Sequence, residues 1–213
     1  MGREEILRRI REGLGAHPLS EAEQREREQR MQSRPVGPRV PFTGDLVTRF
    51  LAKAKDNLFT FERLQSLEML APAVRALLSD VEGDPDISVA PALAHLGWPV
   101  QWKINRGAGR PVEPLSVTLA YAGIAETGSV VMRSGAETPT SLNFLPDTHV
   151  IVLRAADIVG YAEDVWRRMH AEGAGWPRTV NVISGPSRTA DVGGVLVRPA
   201  HGPKRVHLMI VDD

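Results

Sequence analysis

The chain has 213 residues, in which 26 Lys and Arg are balanced by 26 Asp and Glu, and it contains six His and no Cys. A formal net charge of zero gives no basic surface of the kind that binds nucleic acid or anionic lipid. Without cysteine the chain can form no disulfide, offer no thiol nucleophile and supply no thiolate to an iron–sulfur cluster. We therefore expect no nucleic-acid partner, and any iron–sulfur centre must belong to a partner protein.

The beginning of the sequence does not fit a targeting signal. Glu4 and Glu5 stand where a secretory signal needs basic and then apolar residues, and Ile6 stands where a myristoylation motif needs Ser or Thr. No apolar run approaches the length of about 20 residues that spans a bilayer. We expect a cytoplasmic protein without a membrane span.

Residues 1–34 are predicted to form a charged helical arm, because they hold eight Arg and seven Glu. Apolar residues repeat at near-helical spacing in its first half, at Ile6, Leu7, Ile10 and Leu14, whereas residues 20–30 are polar on every face. The arm is either mobile or a docking segment that contacts a partner or links copies in a homo-oligomer.

A proline-rich linker at residues 35–44 is predicted to lead into a main domain at residues 45–213. Helical and strand patterns alternate there, in chain order: helix 45–57, strand 58–64, helix 66–78, strand 87–90, strand 116–122, its hairpin or continuation at 128–132, strand 149–153, helix 157–171, strand 179–183 and strand 206–211. This alternation predicts an α/β fold with a mostly parallel sheet, helices on both faces and ligand chemistry at the carboxyl ends of the strands.

The segment Gly123-Ile-Ala-Glu-Thr-Gly-Ser129 is the first candidate site. The carboxylate of Glu126 could act as a nucleophile or base, while the hydroxyls and backbone amides of the following residues, Thr127, Gly128 and Ser129, hold an anion. Alternatively, Glu126 pairs with an arginine and Gly128 only permits a tight turn.

The segment Ser184-Gly-Pro-Ser-Arg-Thr-Ala-Asp191 is the second candidate. Its composition is typical of a phosphate or carboxylate cradle: Gly185 lets a ligand approach the backbone, Arg188 offers a bidentate contact, and hydroxyls come from Ser184, Ser187 and Thr189. It lacks the spacing of a Walker loop or a dinucleotide fingerprint. Alternatively, it is a turn in which Asp191 caps backbone amides.

Among the histidines, His201 is the candidate acid or base, because the segment that contains it could approach either loop. His149 and His207 lie in apolar strand patterns and are interpreted as packed or satisfied core residues. No histidines stand at ligand spacing, so we expect no protein-bound metal. Asn143 and Asp147 are interpreted as turn residues rather than site walls.

Four ordered motifs together resemble the lactate utilisation protein C family, whose domain is called LUD: residues 123–129, Leu-Pro-Asp-Thr-His at 145–149, residues 183–191 and His-Gly-Pro at 201–203. The resemblance covers roughly residues 40–213. It implies the fold shared by ribose-5-phosphate isomerase, glucosamine-6-phosphate deaminase and the CoA transferases.

The resemblance further implies a role in bacterial oxidation of L-lactate to pyruvate, beside two partner proteins that carry iron–sulfur motifs. On this interpretation the chain is a non-redox subunit of an L-lactate-oxidising dehydrogenase complex, with no cofactor of its own and no independent activity assigned. It binds a small carboxylate or phosphate, organises the iron–sulfur proteins, or does both. The alternatives are a CoA-transferase-like or sugar-phosphate-like enzyme that uses Glu126, and a scaffold that acts through the arm.

Overall fold

The structure is a computed structural model of the chain, and it describes residues 2–15, 17, 19–33, 36–79, 81–110, 113–188 and 202–212. The chain divides into two units, the first 42 residues and residues 43–213.

The first unit contains helix α1, Arg3–Gly13, and helix α2, Glu21–Ser33. A capping box begins α2: the Ser20 amide donates to the Glu23 carboxylate at 2.8 Å, and the Glu23 amide donates to Ser20 Oγ at 3.3 Å. Neither helix has a buried residue, and the apolar Ile10 of α1 is 50% exposed.

The second unit contains three α-helices and ten strands among its described residues: α3 Leu46–Asp56, β1 Thr60–Leu64, α4 Leu70–Leu77, β2 Asp86–Val89, β3 Lys103–Asn105, β4 Leu115–Leu119, β5 Ala122–Ile124, β6 Ser129–Arg133, β7 Thr148–Arg154, β8 Ile158–Val159, α5 Ala162–Glu172, β9 Val180–Ile183 and β10 Arg205–Val211. Asp45 caps α3 as its sequence position predicts, since its carboxylate accepts a hydrogen bond from the Thr48 amide at 2.7 Å.

Six of the strands form an entirely parallel sheet in the order β1-β10-β7-β4-β2-β3. The inner strands β7 and β10 are buried on both faces, which explains their continuous apolar sequences. Helix α4 packs on one face through Leu70 and Val74. The expected α/β fold, with a mostly parallel sheet flanked by helices, is confirmed.

The other four strands form a smaller mixed sheet in the order β8-β5-β6-β9, where β6 pairs antiparallel with both β5 and β9. It lies against the large sheet so closely at Gly123 that an added Cβ would be 2.8 Å from Leu153 Cδ2. Helix α5 covers it through Val165 and Met169.

This second sheet corrects three sequence predictions. The predicted strand 116–122 is two strands, because the Ala120 amide bonds Val152 of the large sheet whereas the Tyr121 amide bonds Val131 of the small one. The predicted helix 157–171 begins at Ala162, since β8 occupies its first turn. The predicted strand 179–183 forms β9 of the small sheet instead of a parallel strand.

Candidate functional site

The turn between β5 and β6, which carries Glu126, is packed against the end of α3. Gly128 has φ +68°, and a Cβ there would lie 2.3 Å from the Ala54 amide nitrogen. Asn57, at the end of α3, donates from its side-chain amide to the Thr127 carbonyl at 2.8 Å. The turn is therefore fixed by helix α3, which explains the need for glycine at position 128.

A chain of hydroxyl groups connects this turn to the second predicted loop. Thr127 Oγ1 donates to Ser129 Oγ at 2.8 Å, and Ser129 Oγ lies 2.7 Å from Ser184 Oγ. Gly185, with φ +107°, packs so closely that a Cβ would be 2.1 Å from the Asn57 carbonyl oxygen. The structure thus brings the two predicted segments, which are 55 residues apart in sequence, into one site.

The two charged candidates of this site are Glu126, which is half-buried, and Arg188, which is exposed. Within the described residues, neither side chain makes a hydrogen bond or an ion pair. The alternative in which Glu126 pairs with an arginine therefore has no support from the described part of the chain.

Three further candidates, Thr189, Asp191 and His201, lie outside the described residues. The distances between His201 and the two loops, and the capping alternative for Asp191, therefore stay predictions.

Beside Ser184 and Ser187 lies a cavity of about 290 Å³, which we call the amino-end cavity because it lies where β7 and β10 begin. The described residues that line it carry no charged side chain: Asn143, Phe144, His149, Val182, Ile183, Ser184, Gly185, Ser187, Gly202, Pro203 and Val206. We expected this loop at the carboxyl ends of the parallel strands, and that expectation is wrong. Strand β9 runs antiparallel to β6 and returns the chain to the opposite end of the sheet.

His149 lies beneath this cavity and is fully buried. Its Nε2 is 2.7 Å from Thr118 Oγ1, and its Nδ1 has no hydrogen-bond partner in the described part of the protein. Burial lowers the pKa of His149 to about 3, so the ring is neutral at neutral pH.

His207 shows the same arrangement near the start of β10. Its Nδ1 is 2.7 Å from Thr60 Oγ1, its Nε2 has no partner among the described residues, and burial lowers its pKa to about 4. Both histidines are core residues as predicted, and because one ring nitrogen of each has no hydrogen-bond partner among the described residues, the structure supports the packed alternative. Asn143, interpreted as a turn residue, also contributes to a cavity wall.

The opposite end of the sheet has a cavity of about 420 Å³, which we call the carboxyl-end cavity. It lies where β4 ends, and its lining includes five side chains that form one polar cluster: Tyr121, Arg133, Asp157, Arg168 and Glu172. Sequence analysis missed this cluster, because its members come from four separate segments, with Arg168 and Glu172 on α5 and each of the others elsewhere, and belong to no motif. The only signal that could have found it is the strand order, which the sequence did not supply.

Hydrogen bonds and ion pairs organise the cluster around Glu172. Its carboxylate accepts from Tyr121 Oη at 2.7 Å and from Arg133 Nη1 at 2.5 Å, while Arg168 Nη1 donates to Asp157 at 2.8 Å. Burial, together with the Glu172 carboxylate, raises the pKa of Tyr121 to about 12. The hydrogen bond from Tyr121 lowers the pKa of Glu172. Tyr121 is thus protonated and Glu172 is ionised at neutral pH.

Across the described ranges, no group of three or more His, Asp or Glu side chains is arranged to hold a metal ion. Helices long and apolar enough to cross a bilayer are also absent from the described residues.

These features define a class of α/β protein in which a parallel sheet carries a small mixed sheet on one face, with the described parts of the sequence motifs meeting at the amino end of the parallel sheet. Residues 115–211 match the family model of the LUD domain, which supports the resemblance of the chain to this family. The crystal structure of a DUF162 family protein from Deinococcus radiodurans has the same fold, with a TM-score of 0.56 and 20% identity over 78% of this chain and 96% of that one.

Curated relatives are similar over part of their length. Lactate utilization protein C of Bacillus subtilis (strain 168) is 32% identical over 125 residues, which are 55% of this chain and 52% of that protein. The protein of the same name from Halalkalibacterium halodurans is 34% identical over 102 residues, 46% of this chain and 44% of that one. The uncharacterized protein YkgG of Escherichia coli (strain K12) is 34% identical over 121 residues, 54% of this chain and 52% of YkgG. The chain spans about half the length of these relatives.

Proposed function

We propose that this protein takes part in lactate utilisation as a non-redox component that binds a small anionic ligand and organises iron–sulfur partner proteins in the oxidation of L-lactate to pyruvate. The names of its relatives support the pathway. The absence of cysteine supports the division of labour, because thiolate ligands for a cluster must then come from other chains.

The observation that carries the ligand proposal is the meeting of the two loops through Thr127, Ser129 and Ser184. Hydroxyl groups of this kind donate hydrogen bonds to carboxylate or phosphate oxygens. Arg188 adds a guanidinium with no carboxylate partner in the described chain, and a guanidinium binds such oxygens in bidentate fashion. A cavity of about 290 Å³ beside these groups limits the ligand to a small molecule.

The direct test is L-lactate-dependent dye reduction by the purified iron–sulfur partners, with and without this chain and with Glu126→Gln. We expect activity to require the wild-type chain. If the partners alone are fully active, the proposed component role is wrong. If the chain is required and Glu126→Gln fails while remaining folded, this component also contributes a chemical group.

Arg188→Ala tests the ligand site separately. A charge-assisted contact contributes about 1.5–3 kcal/mol, so the variant should bind L-lactate or inorganic phosphate about tenfold or more weakly in calorimetry. Arg154→Ala removes another exposed arginine, at the end of β7, and should bind like the wild type. Unchanged affinity in Arg188→Ala would remove the anion-cradle proposal.

The second candidate function is a CoA-transferase-like or sugar-phosphate-like enzyme that uses Glu126 as nucleophile or base. The half-buried Glu126 carboxylate without a partner in the described chain favours it, because a paired carboxylate would be less available for chemistry. Turnover of an acyl-CoA or a sugar phosphate by the isolated chain, abolished in Glu126→Gln, would establish this function. Normal turnover in that variant would eliminate Glu126 as the catalytic group.

A further inference from the structure

The carboxyl-end cavity occupies the position where open parallel sheets bind ligands. In the parallel sheet, β2 and β4 are neighbours. From β2 the chain continues to β3, at the edge of the sheet beyond β2. From β4 it continues, after strands of the small sheet, to β7 and later to β10, which lie on the opposite side of β4. A crevice opens between neighbouring strands whose connections diverge in this way. Leu119 and Ala120 at the end of β4, and Ala92 after β2, line the cavity at this point.

Two arginines in this crevice are held in place by their neighbours. Arg133 Cζ is 4.5 Å and Arg168 Cζ is 4.7 Å from the centre of the Tyr121 ring. Glu172 bonds Arg133, and Asp157 bonds Arg168. Ordered guanidinium groups lose less conformational entropy when a ligand binds than free side chains do.

Neither guanidinium is saturated by these contacts. Arginine has five N–H donors, and in the described structure Arg133 hydrogen-bonds through Nη1 alone, while Arg168 hydrogen-bonds through Nη1 and places Nε 3.6 Å from Glu172. Both side chains remain partly exposed, at 43% and 37%. Each can therefore donate to a ligand while keeping its carboxylate partner.

The charges in the cavity restrict the kind of ligand. Asp157 and Glu172 balance the two arginines, and Glu137 adds an exposed negative charge at the cavity wall. A multiply charged anion would be repelled, whereas a single planar carboxylate fits the guanidinium fork. Ala92, Leu119 and Ala120 offer apolar surface to a short carbon skeleton.

We propose that the carboxyl-end cavity is a second ligand site, which binds an organic monocarboxylate through Arg133 and Arg168. The site is separate from the Arg188 loop, so it stands whether or not the proposed function holds. Its ligand would contact side chains that no sequence motif contains.

The proposal is tested by following the ring resonances of Tyr121 by NMR during titration with pyruvate. The chain has two tyrosines, and Tyr161, which does not line the cavity, serves as an internal control. We expect a saturable shift of the Tyr121 resonances that sodium chloride at equal ionic strength does not reproduce. Inorganic phosphate should bind more weakly than pyruvate.

Arg168→Met should weaken the pyruvate response about tenfold or more, and Arg133→Lys should weaken it less, because the charge remains while the fork is lost. The matched control is Arg167→Met on the same helix, which also removes an exposed ion pair, that with Asp164, but lies outside the cavity. Arg188→Ala should leave the Tyr121 response unchanged. A Tyr121 signal that does not move, or an equal loss in Arg167→Met, would overturn the proposal.

Discussion

The amino and carboxyl ends of the parallel sheet differ in both packing and charge. At the amino end, Gly128 and Gly185 let turns pack directly on the end of α3, and the cavity beside them has no charged lining among the described residues. At the carboxyl end, two arginines and two carboxylates surround the Tyr121 ring in an open crevice. The structure of the amino end therefore depends on close backbone contacts, and that of the carboxyl end depends on the mutual arrangement of charged side chains.

This difference determines how each end responds to substitution. Close backbone contacts cannot accommodate added atoms without displacing the main chain, so small changes have large costs. Partly exposed ion pairs contribute about 1 kcal/mol or less each, because solvent screens them. We therefore expect the largest stability effects at the amino end and the clearest titration effects at the carboxyl end.

The largest expected effect is that of Gly185→Ala. The new Cβ would lie 2.1 Å from the Asn57 carbonyl oxygen, and φ +107° is itself strained for alanine, so we expect a loss of about 3 kcal/mol or more in the free energy of unfolding. Urea denaturation measures it. Gly173→Ala is the matched control, because its φ is +64° but no atom lies within 4 Å of the added Cβ. Equal losses in the two variants would show that the contact with Asn57 does not matter.

Lowering the pH is expected to have an intermediate effect on the free energy of unfolding. The folded-state pKa values of His149 and His207 are lowered to about 3 and about 4, below the ordinary value of 6.5. Between pH 6.5 and these values the unfolded state binds protons that the folded state does not, so stability falls as pH falls. Each histidine contributes a slope of up to about 1.4 kcal/mol per pH unit.

Unfolding curves measured from pH 7 to pH 4 test this slope. His149→Gln should flatten the dependence of the unfolding free energy on pH, whatever its effect on stability at pH 7. His95→Gln, at an exposed position, should keep the wild-type slope. A wild-type slope in His149→Gln would contradict the assignment of a neutral buried ring.

The smallest effect on stability, but a distinct spectroscopic one, is expected from Glu172→Gln. The carboxylate contributes to raising the pKa of Tyr121 to about 12, so its removal should move that pKa toward the ordinary value of 10.0. Ultraviolet titration of tyrosinate in a Tyr161→Phe background measures it. A pKa that stays near 12 would mean that burial alone raises it and that Glu172 does not organise the cluster.

Much of the candidate site could be predicted from sequence, because its residues form contiguous segments. Glycines at turns and clustered hydroxyls identified residues 123–129 and 184–191 as candidates without knowledge of the fold. Their meeting through Ser129 and Ser184, and their position at the amino end, could not be predicted. Both depend on the antiparallel pairing of β6 with β9, and strand direction within a sheet leaves no local signal.

Local patterns determined helix α3 and the long buried strands β7 and β10, because hydrophobic periodicity and capping chemistry involve only a few neighbouring residues. Asp45 and the apolar runs of β7 and β10 are examples. Tertiary structure alone decided that Ala120 and Tyr121 bond different sheets, because the partners Val152 and Val131 are distant in the chain. It also assembled the cluster around Tyr121 from four segments that are separate in sequence. Charged side chains acquire such roles only when folding fixes the distances between them.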